Sequence, residues 1–223
     1  MTDSVRVNLI VEGQTEETFV RNTMSAHLAE KQVYVKYRLV KIGSGKGGIS
    51  NYATARGDIR RWLAEDVQAY VSTMFDLYGL PNDFPGKAQL NDRMSPQEKV
   101  RFVEAAMADD INNERFVPYI QLHEFEALLF SDVEKLDGRI NSVTQQRSQL
   151  IALRKLIEQF PNPEDINDGP TTAPSKRILA LYSAYRKNVV GPMVAEEIGM
   201  AVLRAKCPHF DGWLRSLEGL IGT

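Results

Sequence analysis

Acidic side chains follow three apolar segments that have the character of buried strands. Glu12 ends the run N-L-I-V-E, Asp76 follows S-T-M-F, and the group His123, Glu124 and Glu126 follows Y-I-Q-L. Open α/β sheets carry their sites just beyond the carboxyl ends of parallel strands, so we expect these side chains to meet at one edge of a sheet. Clustered carboxylates repel one another, and a hard cation such as Mg²⁺ relieves this repulsion through oxygen ligands. Such an ion can activate water and stabilise charge on a phosphoryl oxygen.

The candidate roles divide into metal ligands and groups that move protons. The candidate metal ligands are Glu12, Asp76, Asp83 and Glu126, and the candidate catalytic groups are Glu12, Asp76 and His123. Each also has a structural interpretation. Glu12 before Gly13 is a common way to leave a strand, Asp76 could bond its own turn, and a histidine at a strand end is more often simply hydrogen-bonded. For Glu16 and Glu17 we favour the first turn of a helix, where the dipole stabilises acids.

Strand-like and helix-like segments alternate in the first half of the chain. Strands are predicted over residues 5–11, about 33–42, 69–75 and 116–122. Helices are predicted to begin at Thr15, at Ser50 and at Ser95, where S-P-Q-E has the form of a capping box closed by Glu98. This alternation predicts an α/β fold: a mainly parallel sheet of about four strands flanked by helices.

The pattern becomes entirely helical in the last third of the chain, from about Ser142 onward. Helices are predicted near residues 175–188, 192–205 and 210–220. We therefore predict an α/β domain over residues 1–135 and a helical C-terminal extension over 136–223 that packs on it.

Composition restricts the classes of protein to which the chain can belong. The 223 residues carry a formal net charge of −2 and a single cysteine, Cys207, which excludes an internal disulfide and a cysteine-rich zinc site. No apolar run approaches the roughly 20 residues of a membrane span, and the N-terminus does not have the pattern of a signal peptide. We expect a cytoplasmic protein without a membrane partner, in which any nucleic-acid site is a local patch.

Two polar segments are candidate phosphate sites. Lys46 lies in G-S-G-K-G-G, which departs from the Walker pattern at Val40 and Gly47; a flexible surface loop is the favoured interpretation, although exposed amides there could contact a phosphate. The segment D-G-P-T-T-A-P-S-K-R places Ser175, Lys176 and Arg177 at a predicted helix start. Ser175 could cap that helix, and the two cations could bind phosphate or be merely solvated.

Several motifs resemble a known superfamily. V-E-G-Q-T-E after an apolar strand, followed by a strand that ends M-F-D, resembles a Toprim domain, the fold of primases, topoisomerases and the overcoming-lysogenization-defect nucleases. The resemblance extends to a family of bacterial Toprim-like proteins often encoded beside ABC-type ATPases in proposed phage-defence loci. It rests on V-E-G-Q-T-E-E, M-F-D-L-Y-G-L-P-N-D-F-P-G, Q-L-H-E-F-E-A-L-L-F-S-D, N-D-G-P-T-T-A-P-S-K-R-I and K-C-P-H-F-D-G-W-L.

The resemblance implies roles for two residues and leaves two functions open. Glu12 matches the Toprim Glu, which implies acid/base chemistry or metal ligation, and Asp76 matches the first Asp of D-x-D; the second position is Tyr78. One function is a nuclease that uses Mg²⁺ or Mn²⁺, acts on DNA or RNA and could be controlled by an ABC-type ATPase. The alternative is a degenerate Toprim-like binding module that docks on such an ATPase, with Leu214, Leu217, Leu220 and Ile221 available for an interface. Homo-oligomers are compatible with both functions.

Overall fold

A parallel sheet forms the centre of the protein. The computed structural model describes residues 4–40, 48–160, 162–166, 169 and 171–221. The strands are β1 (Val5–Val11), β2 (Val33–Leu39), β3 (Tyr70–Asp76), β4 (Phe116–Val117) and β5 (Ile120–Gln121). Their order is β2-β1-β3-β4, β5 also pairs with β3, and every pairing is parallel. The predicted α/β class and mainly parallel sheet are confirmed, whereas the predicted end of β2 at residue 42 lies outside the described residues.

The last predicted strand, residues 116–122, is divided into β4 and β5. Pro118 lies in the gap and has no N–H to donate to the ladder. The side chain of Thr73 on β3 compensates, since its Oγ1 accepts a hydrogen bond from the amide of Tyr119 and donates one to the carbonyl of Tyr119, both at 3.0 Å. The prediction of one continuous strand was therefore wrong, although both parts pair with β3.

Ten α-helices surround the sheet in the described residues. They are α1 (Gln14–Phe19), α2 (Ser25–Ala29), α3 (Tyr52–Glu65), α4 (Pro96–Ile111), α5 (Val133–Thr144), α6 (Leu150–Ile157), α7 (Pro174–Leu181), α8 (Lys187–Ile198), α9 (Met200–Lys206) and α10 (Pro208–Glu218). A π-helical turn, Val20–Met24, joins α1 to α2, and short 3₁₀ helices cover Lys87–Gln89, Phe125–Ser131 and Pro163–Asp165. None of the described helices is both long and apolar enough to span a bilayer.

The starts of the helices confirm one predicted cap and correct the others. Ser95 and Glu98 form the predicted capping box of α4. By contrast, α1 begins after Gly13, so that Thr15 lies inside its first turn. Asn51 instead of Ser50 caps α3, by accepting a hydrogen bond from the Thr54 amide at 2.9 Å.

The predicted C-terminal helices are shorter than expected. The helix predicted over 175–188 ends at Leu181, and the next begins at Lys187. The helix predicted over 192–205 is broken at Gly199, whose φ of 80° lies in the left-handed region that glycine adopts readily. These breaks place Lys187 at the start of α8.

Two apolar clusters cover the two faces of the sheet. On β1, Val7, Leu9 and Val11 belong to one cluster and Ile10 to the other, as the period of two along a strand requires. The first cluster also contains buried residues of α1 and α2 and of α5 to α10, and the second contains those of α3 and α4. Helices on either side of the predicted boundary at residue 135 thus share one core; the boundary itself stays a prediction.

Candidate functional site

A cavity of about 470 Å³ opens at the carboxyl ends of β1 and β3, and we call it the acidic cavity. Its charged lining residues are Glu12, Glu16, Asp76 and Lys187. Glu12 directly follows β1, Glu16 lies in the first turn of α1, Asp76 is the last residue of β3, and Lys187 is the first residue of α8. Adjacent parallel strands therefore bring together groups that lie far apart in the sequence.

Glu12 is half-buried and bonded to the neighbouring strand. Its Oε2 accepts a hydrogen bond from the backbone amide of Asp76 at 3.0 Å. Burial raises the pKa of Glu12 to about 7, and the charge of Glu16 adds to this, whereas the bond from Asp76 and the charge of Lys187 oppose it. A carboxyl group with this pKa can exchange a proton near neutral pH.

Asp76 is 8% exposed. Its Oδ1 is buried and has no hydrogen-bond partner among the described residues. Burial raises the pKa of Asp76 well above its usual value, and the charges of Glu16, Glu12 and Glu126 raise it further. An unpaired carboxylate oxygen in such surroundings is costly without a proton or a cation.

Glu16 belongs to this site, which sequence reasoning missed. We expected a helix-dipole role, but the residue is 3% exposed and lines the acidic cavity. Burial raises the pKa of Glu16, although hydrogen bonds from its own amide and that of Gly13 act in the opposite direction. The four-residue spacing from Glu12 was the available signal, because a tight strand-to-helix turn brings such positions together.

Two further acids, Glu124 and Glu126, influence the site without lining the cavity. Glu124 is 8% exposed and accepts a hydrogen bond from the Ser175 amide at 2.9 Å. Glu126 is fully buried; its Oε1 lies 3.4 Å from the Tyr185 hydroxyl, and its Oε2 has no hydrogen-bond partner within the described part of the chain. Burial raises the pKa of Glu126 to about 7.

Lys187 supplies positive charge to this group of acids. Burial would lower the pKa of its ammonium group, but the charges of Glu126, Asp76, Glu16 and Glu124 outweigh burial and raise it. Sequence reasoning missed Lys187, because it lies more than 100 residues from β3 and has no local motif.

The donor chemistry of the acidic cavity suits a hard divalent cation. The carboxylates of Glu12, Glu16 and Asp76 are oxygen ligands of the kind that Mg²⁺ and Mn²⁺ prefer, and Asp76 Oδ1 is an unpaired oxygen that a cation would satisfy. Among the described residues no group of three His, Cys, Asp or Glu side chains is arranged to hold a metal. Binding would therefore require these side chains to draw together.

Two predicted site residues have their contacts elsewhere. Asp83 is exposed, and its Oδ2 accepts a hydrogen bond from the Tyr52 amide at 2.9 Å at the start of α3; the structure does not bring it into the acidic cavity. His123 is buried and lines a different cavity. Its backbone lies in the left-handed region, with a φ of 64°.

Two of the predicted phosphate-binding residues, Ser175 and Arg177, bond to groups of the protein itself. The Ser175 amide binds Glu124, and Ser175 follows Pro174 inside α7 instead of capping it. Arg177 donates to the carbonyl of Thr172 at 2.6 Å. Lys176 is exposed, and Lys46 lies outside the described residues.

The chain is similar to solved structures and to one protein family. Two solved structures are similar to it, both of the C-terminal region of the OLD protein of Xanthomonas campestris pv. campestris. The first is 14% identical, with 95% of each chain covered and a TM-score of 0.43; the second is 14% identical, with 95% of this chain and 97% of the other covered and a TM-score of 0.39. No curated protein matches. A family model described as "Domain of unknown function (DUF4276)" matches residues 11–218.

Proposed function

The chain belongs to the DUF4276 family, and we propose that it is a metal-dependent nuclease that hydrolyses phosphodiester bonds at the acidic cavity. The observation that carries the proposal is the convergence of Glu12, Glu16 and Asp76 on one cavity, with an unpaired buried oxygen on Asp76. The sequence pattern of a Glu after the first strand and an Asp at the third, which resembles a Toprim domain, supports the same chemistry.

The carboxylates of Asp76 and Glu16 would hold a Mg²⁺ or Mn²⁺ ion, with Glu12 as a further ligand or as the group that exchanges protons. When bound, such an ion lowers the pKa of water and offsets charge on a phosphoryl oxygen. Glu12 has a pKa of about 7, so that its carboxylate can accept the proton of an attacking water at neutral pH. The ammonium group of Lys187 can stabilise negative charge that develops on the phosphoryl oxygens.

The decisive experiment compares wild type with Asp76→Asn in a cleavage assay. Plasmid DNA, single-stranded DNA and total RNA are incubated with Mg²⁺ or Mn²⁺, and the products are separated by electrophoresis. We expect metal-dependent cleavage by wild type and a loss of about 100-fold or more in the variant, since removing one electrostatic group from an active site costs about 10²–10³ in rate.

Asp109→Asn is a matched control, because Asp109 is exposed and distant in sequence from the acidic cavity. It should retain full activity and the wild-type circular dichroism spectrum. Asp83→Asn should also remain active, because Asp83 binds the Tyr52 amide. Full activity of Asp76→Asn would refute the proposed function.

A binding module is the second candidate function, favoured by one observation. Tyr78 replaces the second Asp of the Toprim pattern and is 46% exposed, so the site has one ligand fewer than that pattern implies. From the resemblance to the Toprim-like family, we propose an ABC-type ATPase as the partner and a role in phage defence. The predicted C-terminal interface needs correction, because Leu214 and Leu217 are buried in the core.

Co-expression distinguishes the two candidates. The chain is co-expressed and co-purified with an ABC-type ATPase as the candidate partner, and cleavage is measured with and without ATP. Cleavage that appears only with the ATPase and ATP identifies a regulated nuclease. A stable complex that cleaves none of the three substrates, in either metal, identifies a binding module.

A further inference from the structure

A second cavity, which we call the lysine cavity, opens next to the acidic cavity at the same end of the sheet. It has a volume of about 510 Å³, and its polar lining includes Tyr78, Lys87, Asp92, Lys99 and His123. We propose that this cavity binds a nucleic-acid strand, with a backbone phosphate at the two lysines and a base stacked on Tyr78. This inference rests on the proposed function and extends it, since it states how the substrate is held beside the acidic cavity.

Two short chain segments connect the cavities. Asp76 lines the acidic cavity and Tyr78, two residues later, lines the lysine cavity. His123 lines the lysine cavity, and the charge of the next residue, Glu124, acts on Glu12. The Tyr78 amide donates a hydrogen bond to the His123 carbonyl at 3.1 Å, which ties the two segments together.

The charges in the lysine cavity favour an anion. Lys87 donates a hydrogen bond from Nζ to the Leu77 carbonyl at 2.9 Å. Both lysines line the cavity. Burial lowers the pKa of Lys87, and the positive charge of Lys99 lowers it further. Asp92, which is exposed, is the acid that also lines the cavity. A phosphate between the two lysines would relieve their repulsion.

The position of Lys99 has no evident structural advantage. It lies in the first turn of α4, where the helix dipole disfavours a cation. The same dipole and the two lysines would together attract a phosphate. A role of Lys99 in anion binding accounts both for its unfavourable position in the first turn of α4 and for its place in the lining of the lysine cavity.

Tyr78 distinguishes a nucleic-acid strand from a free phosphate. Its side chain lines the lysine cavity and is 46% exposed, although it lies only two residues after the buried end of β3. An exposed aromatic ring beside cationic groups is the arrangement on which single-stranded nucleic acids stack their bases. The residue that departs from the Toprim pattern would then serve the substrate instead of the metal.

Fluorescence anisotropy with a labelled 12-nucleotide single strand, DNA or RNA, tests the proposal. EDTA is present throughout, so that binding is measured without cleavage. We expect Lys99→Gln to weaken binding about 3- to 10-fold and to lower the salt slope by about 0.7, as one lost phosphate contact on a single strand requires. Lys99→Arg keeps the charge and should bind like wild type.

Lys31→Gln is the matched control, because it removes the same charge from an exposed residue at the amino end of β2, away from both cavities. Tyr78→Ala should weaken binding about 5-fold or more, and Tyr78→Phe should not, because stacking needs only the ring. Equal affinities of wild type, Lys99→Gln and Tyr78→Ala would overturn the proposal, as would the absence of 12-mer binding by wild type.

Competition identifies the source of the phosphate. Inorganic phosphate and AMP should displace the 12-mer only at far higher concentrations than unlabelled 12-mer does. If AMP displaced the labelled 12-mer as effectively as unlabelled 12-mer does, the cavity would be a mononucleotide site, and the proposal of a bound strand would be refuted. The binding assay and the cleavage assay test the two proposals independently. Asp76→Asn is expected to keep 12-mer binding in EDTA whether or not the wild type cleaves.

Discussion

Lys187 and a divalent cation would act on the same carboxylates. The charges of Glu126, Asp76, Glu16 and Glu124 all favour the protonated form of Lys187, and its own charge lowers the pKa of Glu12. Any cation bound by these acids would therefore be repelled by the ammonium group. Lys187 should limit metal affinity while it stabilises the site without metal.

We expect Lys187→Met to bind Mn²⁺ more tightly than wild type, by about 3- to 10-fold, since a gain of about 1 kcal/mol corresponds to about fivefold. Isothermal titration calorimetry at pH 8 measures the dissociation constant. Lys176→Met is the control, because Lys176 is exposed on α7 and should leave the affinity unchanged. Weaker or unchanged binding by Lys187→Met would show that the ammonium group does not oppose the metal.

Sequence reasoning located the residues that follow strands and missed those that arrive from elsewhere. Glu12 and Asp76 were predictable, because a parallel sheet aligns the ends of β1 and β3. Asp83 follows β3 and His123 follows β5, but Asp83 bonds to the Tyr52 amide of α3 and His123 lines a different cavity. Lys187 had no such signal, since its position depends on how α8 packs against α1.

At the scale of elements, an ion network joins α2, α9 and α10. Arg204 on α9 donates to Glu218 Oε2 at 3.0 Å and to Asp211 Oδ1 at 2.6 Å, and His27 on α2 lies 3.3 Å from Glu218 Oε1. Burial would raise the pKa of Glu218, but hydrogen bonds from Arg204 and His27 lower it overall from its usual 4.5. The side chains of Arg204 and Glu218 are 18% and 19% exposed, so solvent screens the pair only in part.

This lowered pKa predicts how the network depends on pH. A group whose pKa is lower in the folded state contributes stability above its unfolded pKa, here about 4.5, and loses it as the pH falls through the folded pKa. Glu218→Gln should therefore lower the free energy of unfolding by about 1–2 kcal/mol at pH 7. Urea denaturation between pH 3 and pH 8 should show the two proteins converging in acid. A constant difference at every pH would contradict the ionic contribution.

The elements that sequence reasoning predicted well carry local signals. The capping box at Ser95 and Glu98 fixed the start of α4, and the apolar run over residues 5–11 predicted β1. The errors occurred where a single residue interrupts a favourable pattern. Pro118 divides the last strand and Gly199 divides a helix, and in both cases the flanking apolar residues continue the periodicity that suggested one element.

At the scale of the whole molecule, the C-terminal helices complete both the core and the site. Trp213 on α10 stacks on Tyr119 beside β5, with ring centroids 4.1 Å apart and an interplanar angle of 7°. Its Nε1 donates a hydrogen bond to Ser72 Oγ on β3 at 3.0 Å. The same helical region supplies Lys187 to the acidic cavity and the Ser175 amide to Glu124.

A fragment of residues 1–135 should therefore fail to fold by itself. Without the later helices, Leu9, Val11 and Met74, which are fully buried in the complete chain, would face water on one side of the sheet. Burial of one such side chain stabilises a protein by about 1.5–3 kcal/mol, and marginal stability of about 5–15 kcal/mol cannot absorb the loss of several. Near-ultraviolet circular dichroism and the dispersion of amide resonances measure fixed packing, with the full chain as the control. A well-dispersed spectrum from the fragment would establish residue 135 as a true domain boundary and make the helical region a separable unit, whereas a collapsed spectrum would show that one core unites the whole chain.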